Sequence, residues 1–591
     1  MKTVSVPALI ASLSILLLPH AFGQGALTPP PGPPAPTMKS LDQVEARTPI
    51  DPTQAGFALP FTISQPGSYY FTANITAAGS TAGIIVASDD VTIDLNGFSL
   101  TGGGGGTARG IDVPAARKNL AIRNGTVRGW AGGGVRADLA TDSVLEKLRA
   151  SGNSGGIGGA ALVVGNGSLI KDCVASNNPT TNGFKTFSGT TIIGCTASSN
   201  GSSGFFLGGT CTISDCTAFS NSLNGIKLFS SGVVSHCTAG TNSAVGISGG
   251  DGCLISDCVA SFNLSHGIEA GIGASVTHCA VTNNTGEGIS ASVACTISEC
   301  TVATNGGNGI STGDNNGIHH CIARSNGFCG FVTGIASTLT DSTVSNNQLQ
   351  GISAATGCTI RNCTAVANKI AGVQGGAGCT VSASSSSQNQ GYGFDLGAGS
   401  TITDSTAFGN LVYNVVNPNG SNTTTQAEGI RTGSDSTITR CTLSQNQGDG
   451  IFASAGSTIE ACTVGANTTA GIYMSGGHNI VRGCTARGNG SNGIDARDTS
   501  GGCRILENTC ASNGYGGIQV NGEQNRIESN SVNQNAQFGI SAGGHNFLVR
   551  NTARGNPTNY LVAGPIARGS FLNFTAGGII TTSESWANFE Y

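Results

Sequence analysis

The sequence repeats itself at an interval of 21 residues over much of its length. The stretch SDCTAFSN at 214–221 returns as SHCTAGTN at 235–242 and as SDCVASFN at 256–263. Each copy carries a cysteine and, five residues later, an asparagine. The asparagine column includes Asn200, Asn221, Asn242, Asn263, Asn284, Asn305, Asn326, Asn347 and Asn368, and it continues to Asn556. A fixed period of this length is typical of a solenoid, in which each repeat is one structural unit.

Short runs of β-branched residues predict strands rather than helices within each repeat. The segments TIS and CTA have strand character, and the glycine and asparagine positions mark corners between them. So short a unit cannot bury its own apolar side chains, and each strand must pair in parallel with its counterpart in the next repeat. The sequence therefore predicts an all-β fold, a parallel β-helix whose rungs rise about 4.8 Å each.

Equivalent positions of successive rungs should then lie above one another. Ile213, Val234 and Ile255 predict an inward aliphatic stack. The asparagines are expected at a corner, where each side-chain amide can donate to the carboxamide oxygen of the next rung. We therefore predict a continuous asparagine ladder.

The residue before each cysteine alternates between an acid and a histidine over seven rungs. This acid–histidine column comprises Asp215, His236, Asp257, His278, Glu299, His320 and Asp341. We favour a charge-compensated structural ladder, and the alternative is a metal-binding or substrate-binding site. Successive histidines lie two rungs apart, about 9.6 Å, which is too far for them to share one metal ion. The pattern leaves open whether the column faces the core or the solvent.

The twenty cysteines leave two interpretations open. An exported chain rich in cysteine favours disulfides, but stacked thiols one rung apart are farther from each other than a disulfide requires. Serine replaces cysteine at Ser342, Ser384 and Ser405 in the same column, which favours a buried column of free thiols. Since no C-x-x-C pair occurs, we predict no metal site.

The two ends of the chain differ from the repeats. Residues 1–23 have the charged, apolar and small-residue regions of a signal peptide, which predicts a secreted, cell-surface or periplasmic protein. A proline-rich lead-in or linker follows at 24–56, and the β-helix with its N-terminal cap is expected at 57–556. The β-helix contains a loop insertion near 411–428. Residues 557–591 are expected to form a C-terminal cap.

Charge and hydropathy exclude two classes of partner. The formal net charge of −5 provides no basic stripe for nucleic acid. No segment after the signal peptide is apolar over about 18 residues, so the mature chain should have no transmembrane span.

The richest polar cluster is IDARD at 494–498. It contributes Asp495, Arg497 and Asp498, and Glu523 is expected close by in the next rung. These four are weak candidates for catalysis, and a solvated face is the interpretation that we favour. An enzyme of this kind would need carboxylates on adjacent rungs near an arginine or lysine. The rungs beside the insertion at 411–428 are expected to lack such a pair.

Several segments resemble a known family. They are LTPPPGPPAPTMKSLDQVEARTPI at 27–50, LPFTISQPGSYYFTANIT at 59–76, VTIDLNGFSLTG at 91–102, HNFLVRNTARGNPTNY at 545–560 and SWANFEY at 585–591. With the repeat, they resemble a largely uncharacterised group of secreted bacterial proteins with the right-handed parallel β-helix of the pectin-lyase-like superfold. The resemblance implies the handedness and little about function, because the fold hosts lyases, hydrolases, epimerases, adhesins and structural proteins.

Two hypotheses for function follow. We favour a non-catalytic surface, matrix or carbohydrate-binding element, whose partners would be polysaccharide or cell-envelope components. The alternative is a polysaccharide lyase, glycoside hydrolase or epimerase. No cofactor is expected, and only the enzymatic alternative would admit calcium.

Overall fold

Each rung forms three short strands, and equivalent strands of successive rungs pair in parallel, in register, to build three long sheets. The computed structural model describes residues 46–155, 158–416, 422–425, 427–498, 500–574 and 583–591. The predicted signal peptide at 1–23 therefore lies outside the described residues. Residues 48–591 form one compact unit.

The first and second sheets follow each other within a rung, and two long strands, Ala121–Arg128 and Val144–Ser151, run through both. The strands of the first sheet are Thr48–Ile50, Gly67–Phe71, Val91–Asp94, Ala121–Arg128, Val144–Ser151, Leu169–Lys171, Thr191–Ile193, Thr212–Ser214, Val233–Ser235, Leu254–Ser256, Ser275–Thr277, Thr296–Ser298, Gly317–His319, Thr338–Thr340, Thr359–Arg361, Thr380–Ser382, Thr401–Thr403, Thr437–Thr439, Thr458–Glu460, Ile480–Arg482, Arg504–Leu506, Arg526–Glu528, Phe547–Val549 and Ala567–Arg568. The other strands of the second sheet are Ile75–Thr76, Ser99–Thr101, Val174–Ser176, Thr196–Ser198, Thr217–Phe219, Thr238–Gly240, Val259–Ser261, Ala280–Thr282, Thr301–Ala303, Ile322–Arg324, Thr343–Ser345, Thr364–Val366, Ser385–Ser387, Thr406–Phe408, Thr442–Ser444, Thr463–Gly465, Thr485–Arg487, Thr509–Ala511, Ser531–Asn533, Thr552–Arg554, Phe571–Asn573 and Asn588–Glu590.

The third sheet follows the asparagine corner. Its strands are Phe61–Ile63, Ile84–Val86, Ile111–Asp112, Val135–Ala137, Ala160–Val164, Asn182–Thr186, Phe205–Leu207, Ile226–Leu228, Ile247–Gly249, Ile268–Ala270, Ile289–Ala291, Ile310–Thr312, Phe331–Thr333, Ile352–Ala354, Val373–Gly375, Phe394–Leu396, Ile430–Thr432, Ile451–Ala453, Ile472–Ser475, Ile494–Asp498, Gly516–Val520, Phe538–Gly543 and Thr558–Ala563. In a typical strand of this third sheet the two outer residues point into the core and the middle residue points outward, as the burial pattern of Ile226–Leu228 shows.

The rung turns where single residues adopt left-handed backbone geometry. In the rung that contains Asp215, Ser220 and Ser231, these three residues have φ values of 56°, 55° and 53°. The first separates the first and second sheets, the second precedes the asparagine corner, and the third precedes the return to the first sheet. Because such geometry ends a strand without a long loop, the rung stays short.

Apolar side chains fill the space between the sheets. Ile213, Val234 and Ile255 are fully buried in consecutive strands, as predicted. The rings of Phe184 and Phe205 stack with centroids 4.8 Å apart. Burial of such stacked side chains is the main force that holds one rung on the next.

The predicted asparagine ladder is confirmed. Asn242 Nδ2 donates to Asn263 Oδ1 at 3.0 Å, and Asn263 Nδ2 donates to Asn284 Oδ1 at 2.9 Å. Each amide also bonds the backbone: Asn263 Nδ2 donates to Ala239 O at 3.1 Å, and its Oδ1 accepts from Asn242 N at 3.1 Å. The ladder therefore satisfies backbone groups that the corner would otherwise leave without partners.

The main cysteine column also accepts backbone hydrogen bonds, at the bend between the first two sheets. The backbone N–H of Cys195 donates to Cys216 Sγ at 3.3 Å, and that of Cys321 donates to Ser342 Oγ at 3.0 Å. In later rungs Cys484 N donates to Asn508 Oδ1 at 2.9 Å. The column needs a small side chain that accepts this bond, which explains why cysteine, serine and asparagine alternate there. All twenty cysteines lie in the described part of the chain, where they are buried and none forms a disulfide.

The predicted segments outside the regular repeats contain strands. Thr48–Ile50 falls inside the lead-in predicted at 24–56 and pairs with Gly67–Phe71. Within the insertion near 411–428, Tyr413–Val416 and Asn422–Thr425 pair as an antiparallel hairpin. In the segment 557–591, Asn588–Glu590 pairs with two earlier strands. Within the described ranges there is no helix of the length and hydropathy needed to cross a bilayer.

Candidate functional site

The acid–histidine column lies on the outside of the fold, at the bend between the first and second sheets. All seven members are exposed and have positive φ, from 52° at His236 and His278 to 56° at Asp215. Aspartate, asparagine and histidine tolerate this geometry better than most residues. The backbone thus explains much of the residue choice in the column.

Contacts along the column are lateral pairs between neighbours. His278 Nε2 lies 2.6 Å from Glu299 Oε2, and His320 Nε2 lies 3.9 Å from Asp341 Oδ2. Asn362 continues the column and donates to Asp341 Oδ1 at 2.6 Å; this bond, more than His320, holds the pKa of Asp341 below its usual range. No three His, Cys, Asp or Glu residues of the described chain converge to hold a metal ion. The geometry favours the structural interpretation of the column.

The candidates Asp495 and Arg497 lie together in the strand Ile494–Asp498 of the third sheet. This strand pairs with the preceding one through a register shift, so it contains a β-bulge. The ladder step across this rung, from Asn489 to Asn513, is 24 residues rather than 21. The longer rung supplies the residues of the bulge.

Asp495 is fully buried, whereas Arg497 is partly exposed. Arg497 donates from Nε to Asp495 Oδ1 at 2.9 Å, and its Nη2 lies 2.7 Å from Oδ2. Asn492 Nδ2 donates to Asp495 Oδ2 at 2.8 Å. The interpretation of this cluster as a solvated face is therefore wrong for Asp495, which is a buried carboxylate held by a guanidinium.

Of the other two candidates, Glu523 makes a different contact. Asp498 ends the same strand, and its side chain lies outside the described residues. Glu523 is exposed, and its Oε1 lies 3.5 Å from His545 Nδ1. Of the four predicted residues, the structure brings together Asp495 and Arg497.

A groove of about 490 Å³ opens beside Asp495 on the outer face of the third sheet. Its lining includes Asp449, Phe452, Tyr473 and, at the foot of the inserted hairpin, Val412. Val412 N donates to Gln447 Oε1 at 2.8 Å, which fixes the hairpin's first strand beside the groove. We call this surface, with Arg431 and Glu428 from the neighbouring rung, the third-sheet groove.

The floor of the third-sheet groove is a stack of outward side chains from consecutive strands. The Arg431 guanidinium lies 5.7 Å from the Phe452 ring, which stacks on Tyr473 with centroids 5.4 Å apart and planes 21° apart. Arg431 Nη1 also donates to Tyr392 Oη at 2.6 Å. Register places Asp495 directly after Tyr473 in the series. An apolar aromatic surface is thus bounded by charged groups at both ends.

Three further carboxylates lie in or beside the groove, and burial raises the pKa of each. The pKa of Glu428, only 2% exposed, rises to about 7. The pKa values of Asp395 and Asp449 are also raised by burial, although Arg431 opposes the rise at Asp395 and Thr469 opposes it at Asp449. Glu428 Oε2 is buried and has no hydrogen-bond partner among the described residues. Glu428 can therefore hold a proton near neutral pH.

The expectation that the rungs beside the insertion lack a carboxylate pair is wrong. Glu428 and Asp449 are 21 residues apart, and each immediately precedes the Gly-Ile that opens a third-sheet strand. They therefore occupy equivalent positions on adjacent rungs. The signal was present in the repeat, but it lies in the column before glycine rather than in the column before cysteine, where carboxylates are most frequent.

Calcium, which the enzymatic alternative would admit, finds no donor set in the described part of the chain. A calcium site needs six or more oxygen ligands, several of them from carboxylates. The described residues contain no group of three or more acidic, histidine or cysteine side chains arranged for a metal ion, and Asp495 is already occupied by Arg497.

Comparison with protein families gives one match. A family model described as a right handed beta helix region matches residues 110–259, 165–295, 271–414 and 428–587, together more than half of the chain. The match confirms the predicted right-handed parallel β-helix. Comparison with curated proteins finds no match.

Several solved structures are similar in fold. The A-module of Azotobacter vinelandii mannuronan C-5 epimerase AlgE4 is 15% identical with a TM-score of 0.25, and the match covers 57% of this chain and 88% of that one. Pectate lyase Pel9A is 14% identical with a TM-score of 0.25, covering 48% and 70%. A tailspike protein of E. coli bacteriophage HK620, solved with a pentasaccharide, is 12% identical with a TM-score of 0.22, covering 57% and 71%. At these values the similarity concerns the fold alone.

Proposed function

Because the chain belongs to the right-handed β-helix family, we propose that it is an exported protein that binds polysaccharide in the third-sheet groove. One observation carries the proposal, namely the stack of Arg431, Phe452 and Tyr473 on consecutive rungs. A strand spacing of about 4.8 Å sets these side chains in a line along the solenoid axis. A linear polymer is the ligand that such a line suits.

The chemistry of the groove matches that of a sugar chain. The C–H face of a sugar ring is apolar and packs on an aromatic ring, while its hydroxyl groups need hydrogen-bond partners. Phe452 and Tyr473 supply the aromatic surface. Arg431 and Arg497 are partly exposed and can donate to hydroxyl or carboxylate oxygens. Asp495 keeps Arg497 in place through two contacts below 3 Å.

The inserted hairpin supports the same location. Binding sites on regular scaffolds concentrate where loops rise beside a rigid sheet. The longest step of the asparagine ladder, 36 residues from Asn410 to Asn446, carries this hairpin, and Val412 lines the groove.

A second candidate function, cleavage of the bound glycan, is favoured by the state of Glu428. A carboxyl with a pKa of about 7 can act as a general acid near neutral pH and protonate the oxygen of the leaving sugar. Asp449, one rung away, would be the second carboxyl that glycoside hydrolysis requires. In this alternative the aromatic stack positions the substrate.

Binding is tested by titrating the protein with neutral and acidic polysaccharides in a calorimeter. Tyr473→Ala should lower the affinity for a bound polysaccharide about tenfold, the loss expected for one aromatic contact surface. Phe408→Ala is the control, because it removes a partly exposed ring from the second sheet. Equal affinities of wild type and Tyr473→Ala would refute the proposed site.

Cleavage is tested in the same mixtures by measuring new reducing ends. If the chain cleaves, Glu428→Gln and Asp449→Asn should abolish the new ends while Tyr473→Ala reduces binding. If no new ends form while binding persists, cleavage is excluded as the function of the groove. Cleavage that survives both carboxyl substitutions would exclude these residues as the acid and its partner.

A further inference from the structure

A second cluster of charged and aromatic side chains lies on the same outer face, near the other end of the third sheet. Its outward residues follow one another in register: Arg136 precedes Val163, then come Lys185, Phe206 and Lys227. Phe229, in the turn after Lys227, projects beside them and is 49% exposed. We call Arg136, Lys185, Phe206, Lys227 and Phe229 the cationic patch.

The lysines of the cationic patch are held against aromatic rings. Lys185 Nζ lies 5.8 Å from the centroids of both Phe187 and Phe206, and Lys227 Nζ lies 5.8 Å from that of Phe229. Phe206 and Phe229 meet edge to face with centroids 5.2 Å apart. These contacts orient the ammonium groups along the face without neutralising them.

The charges of the cationic patch are only partly compensated within the described chain. Arg136 Nε lies 3.1 Å from Asp138 Oδ1, and the nearby Arg109 lies 3.1 Å from Asp112. Lys185 Nζ donates to the carbonyl oxygen of Gly158 at 2.7 Å, and neither Lys185 nor Lys227 forms an ion pair with a described carboxylate. The surface therefore retains a net positive charge.

The cations of the third-sheet groove, in contrast, are paired with carboxylates. Arg497 Nη2 lies 2.7 Å from Asp495 Oδ2, and Arg431 Nε lies 4.0 Å from Asp395 Oδ1. Nine register steps along the third sheet separate Lys227 from Arg431. At about 4.8 Å a step this is about 43 Å. The ammonium groups of the patch, which have no carboxylate partner in the described chain, therefore lie well away from the groove and are free to pair with an anionic ligand group.

We propose that the cationic patch is a second, separate binding site that takes the anionic groups of an acidic polysaccharide. Lys185 and Lys227 bind its carboxylate or sulfate groups, while Phe206 and Phe229 pack against the apolar faces of its sugar rings. The ligand is a linear polyanion because Lys185, Phe206 and Lys227 place cation, ring and cation on three consecutive rungs along the solenoid axis. This site goes beyond the groove proposed above and does not depend on its function.

The test measures binding of short fragments of two probes, polygalacturonate and dextran sulfate, which separate carboxylate from sulfate recognition. A fragment much shorter than the distance between the patch and the groove cannot span both sites. The double variant Lys185→Gln/Lys227→Gln should lower the affinity for at least one probe about tenfold or more, as expected when two charge-assisted hydrogen bonds are lost. The affinity of wild type should fall with added salt, and the fall should be shallower in the variant.

Matched variants separate this proposal from loss of fold and from failure of the groove. Lys171→Gln/Lys369→Gln removes two exposed lysines outside the patch and should bind as wild type does. In the described chain the Lys227 ammonium contacts the Phe229 ring, whereas that of Lys185 also donates to Gly158 O. The single variant Lys227→Gln keeps the Gly158 contact of Lys185 and should therefore lose less affinity than the double variant. Tyr473→Ala should leave binding of these fragments to the patch unchanged, although it weakens binding to the groove.

Three results would overturn the proposal. The first is equal affinity of wild type and the double variant for both probes. The second is equal competition by neutral dextran, which would reduce the site to ring stacking. The third is tighter binding of DNA than of either probe at the same salt concentration, which would assign the patch to a different class of polyanion.

Discussion

Replacing Glu428 by glutamine tests whether the buried carboxyl is held in its protonated form. Burial raises its pKa from an ordinary 4.5 to about 7 in the folded chain. Between these two values the folded chain retains a proton that the unfolded chain has lost. Stability therefore falls as the pH rises from about 4.5 to about 7, and the loss is complete above that range.

The size of the effect follows from the two pKa values. A difference of about 2.5 between them corresponds to about 3 kcal/mol of lost stability above pH 7. Glutamine has nearly the same shape and cannot ionise, so Glu428→Gln should be more stable than wild type at pH 8 by up to that amount. For a unit as large as residues 48–591, about 3 kcal/mol corresponds to a Tm difference of about 3 °C. At pH 4.5 the two proteins should be equally stable.

Thermal unfolding followed by circular dichroism at pH 4.5, 6 and 8 measures this difference. Glu269→Gln is the matched control, because Glu269 is an exposed residue on the same face of the third sheet. Part of the pH dependence should remain in the variant, since burial also raises the pKa values of Asp395 and Asp449. If wild type and Glu428→Gln lose the same stability between pH 4.5 and pH 8, the carboxyl is not protonated in the folded chain. Its role as a general acid would then be refuted.

Two further predictions concern the solenoid itself. Asn263→Ala removes a side chain that donates two hydrogen bonds and accepts two at a buried corner. The variant should be destabilised by about 3 kcal/mol in denaturant unfolding. A loss of stability below about 0.5 kcal/mol would contradict the structural role of the ladder. Thiol titration without reductant should detect all twenty cysteines in denaturant and few in the native protein, because they are buried and burial raises the pKa of Cys363 to about 11. A shortfall in denaturant would demonstrate disulfides.

Regular columns of the repeat could be predicted because every rung poses the same physical problem. Asn263 and its equivalents must satisfy the same corner backbone groups in every rung, so the same residue returns. The cysteine column was harder to interpret, because cysteine, serine and asparagine can each accept the one backbone hydrogen bond that the bend requires. The acid–histidine alternation suggested chemistry, but positive φ at an exposed bend accounts for much of the residue choice in this column.

The third-sheet groove could be predicted only where the chain departs from its period. Regular rungs cannot create a concave site, because each strand repeats the surface of the one before it. The ladder lengthens from 21 residues to 36 between Asn410 and Asn446, and to 24 between Asn489 and Asn513. The first departure raises the hairpin beside the groove, and the second produces the bulge that carries Asp495 and Arg497. The two irregular rungs flank Phe452 and Tyr473, so the aromatic floor lies between the places where the period breaks. In a solenoid of this kind, deviations in ladder spacing therefore locate a candidate site more reliably than the residues that recur in every rung.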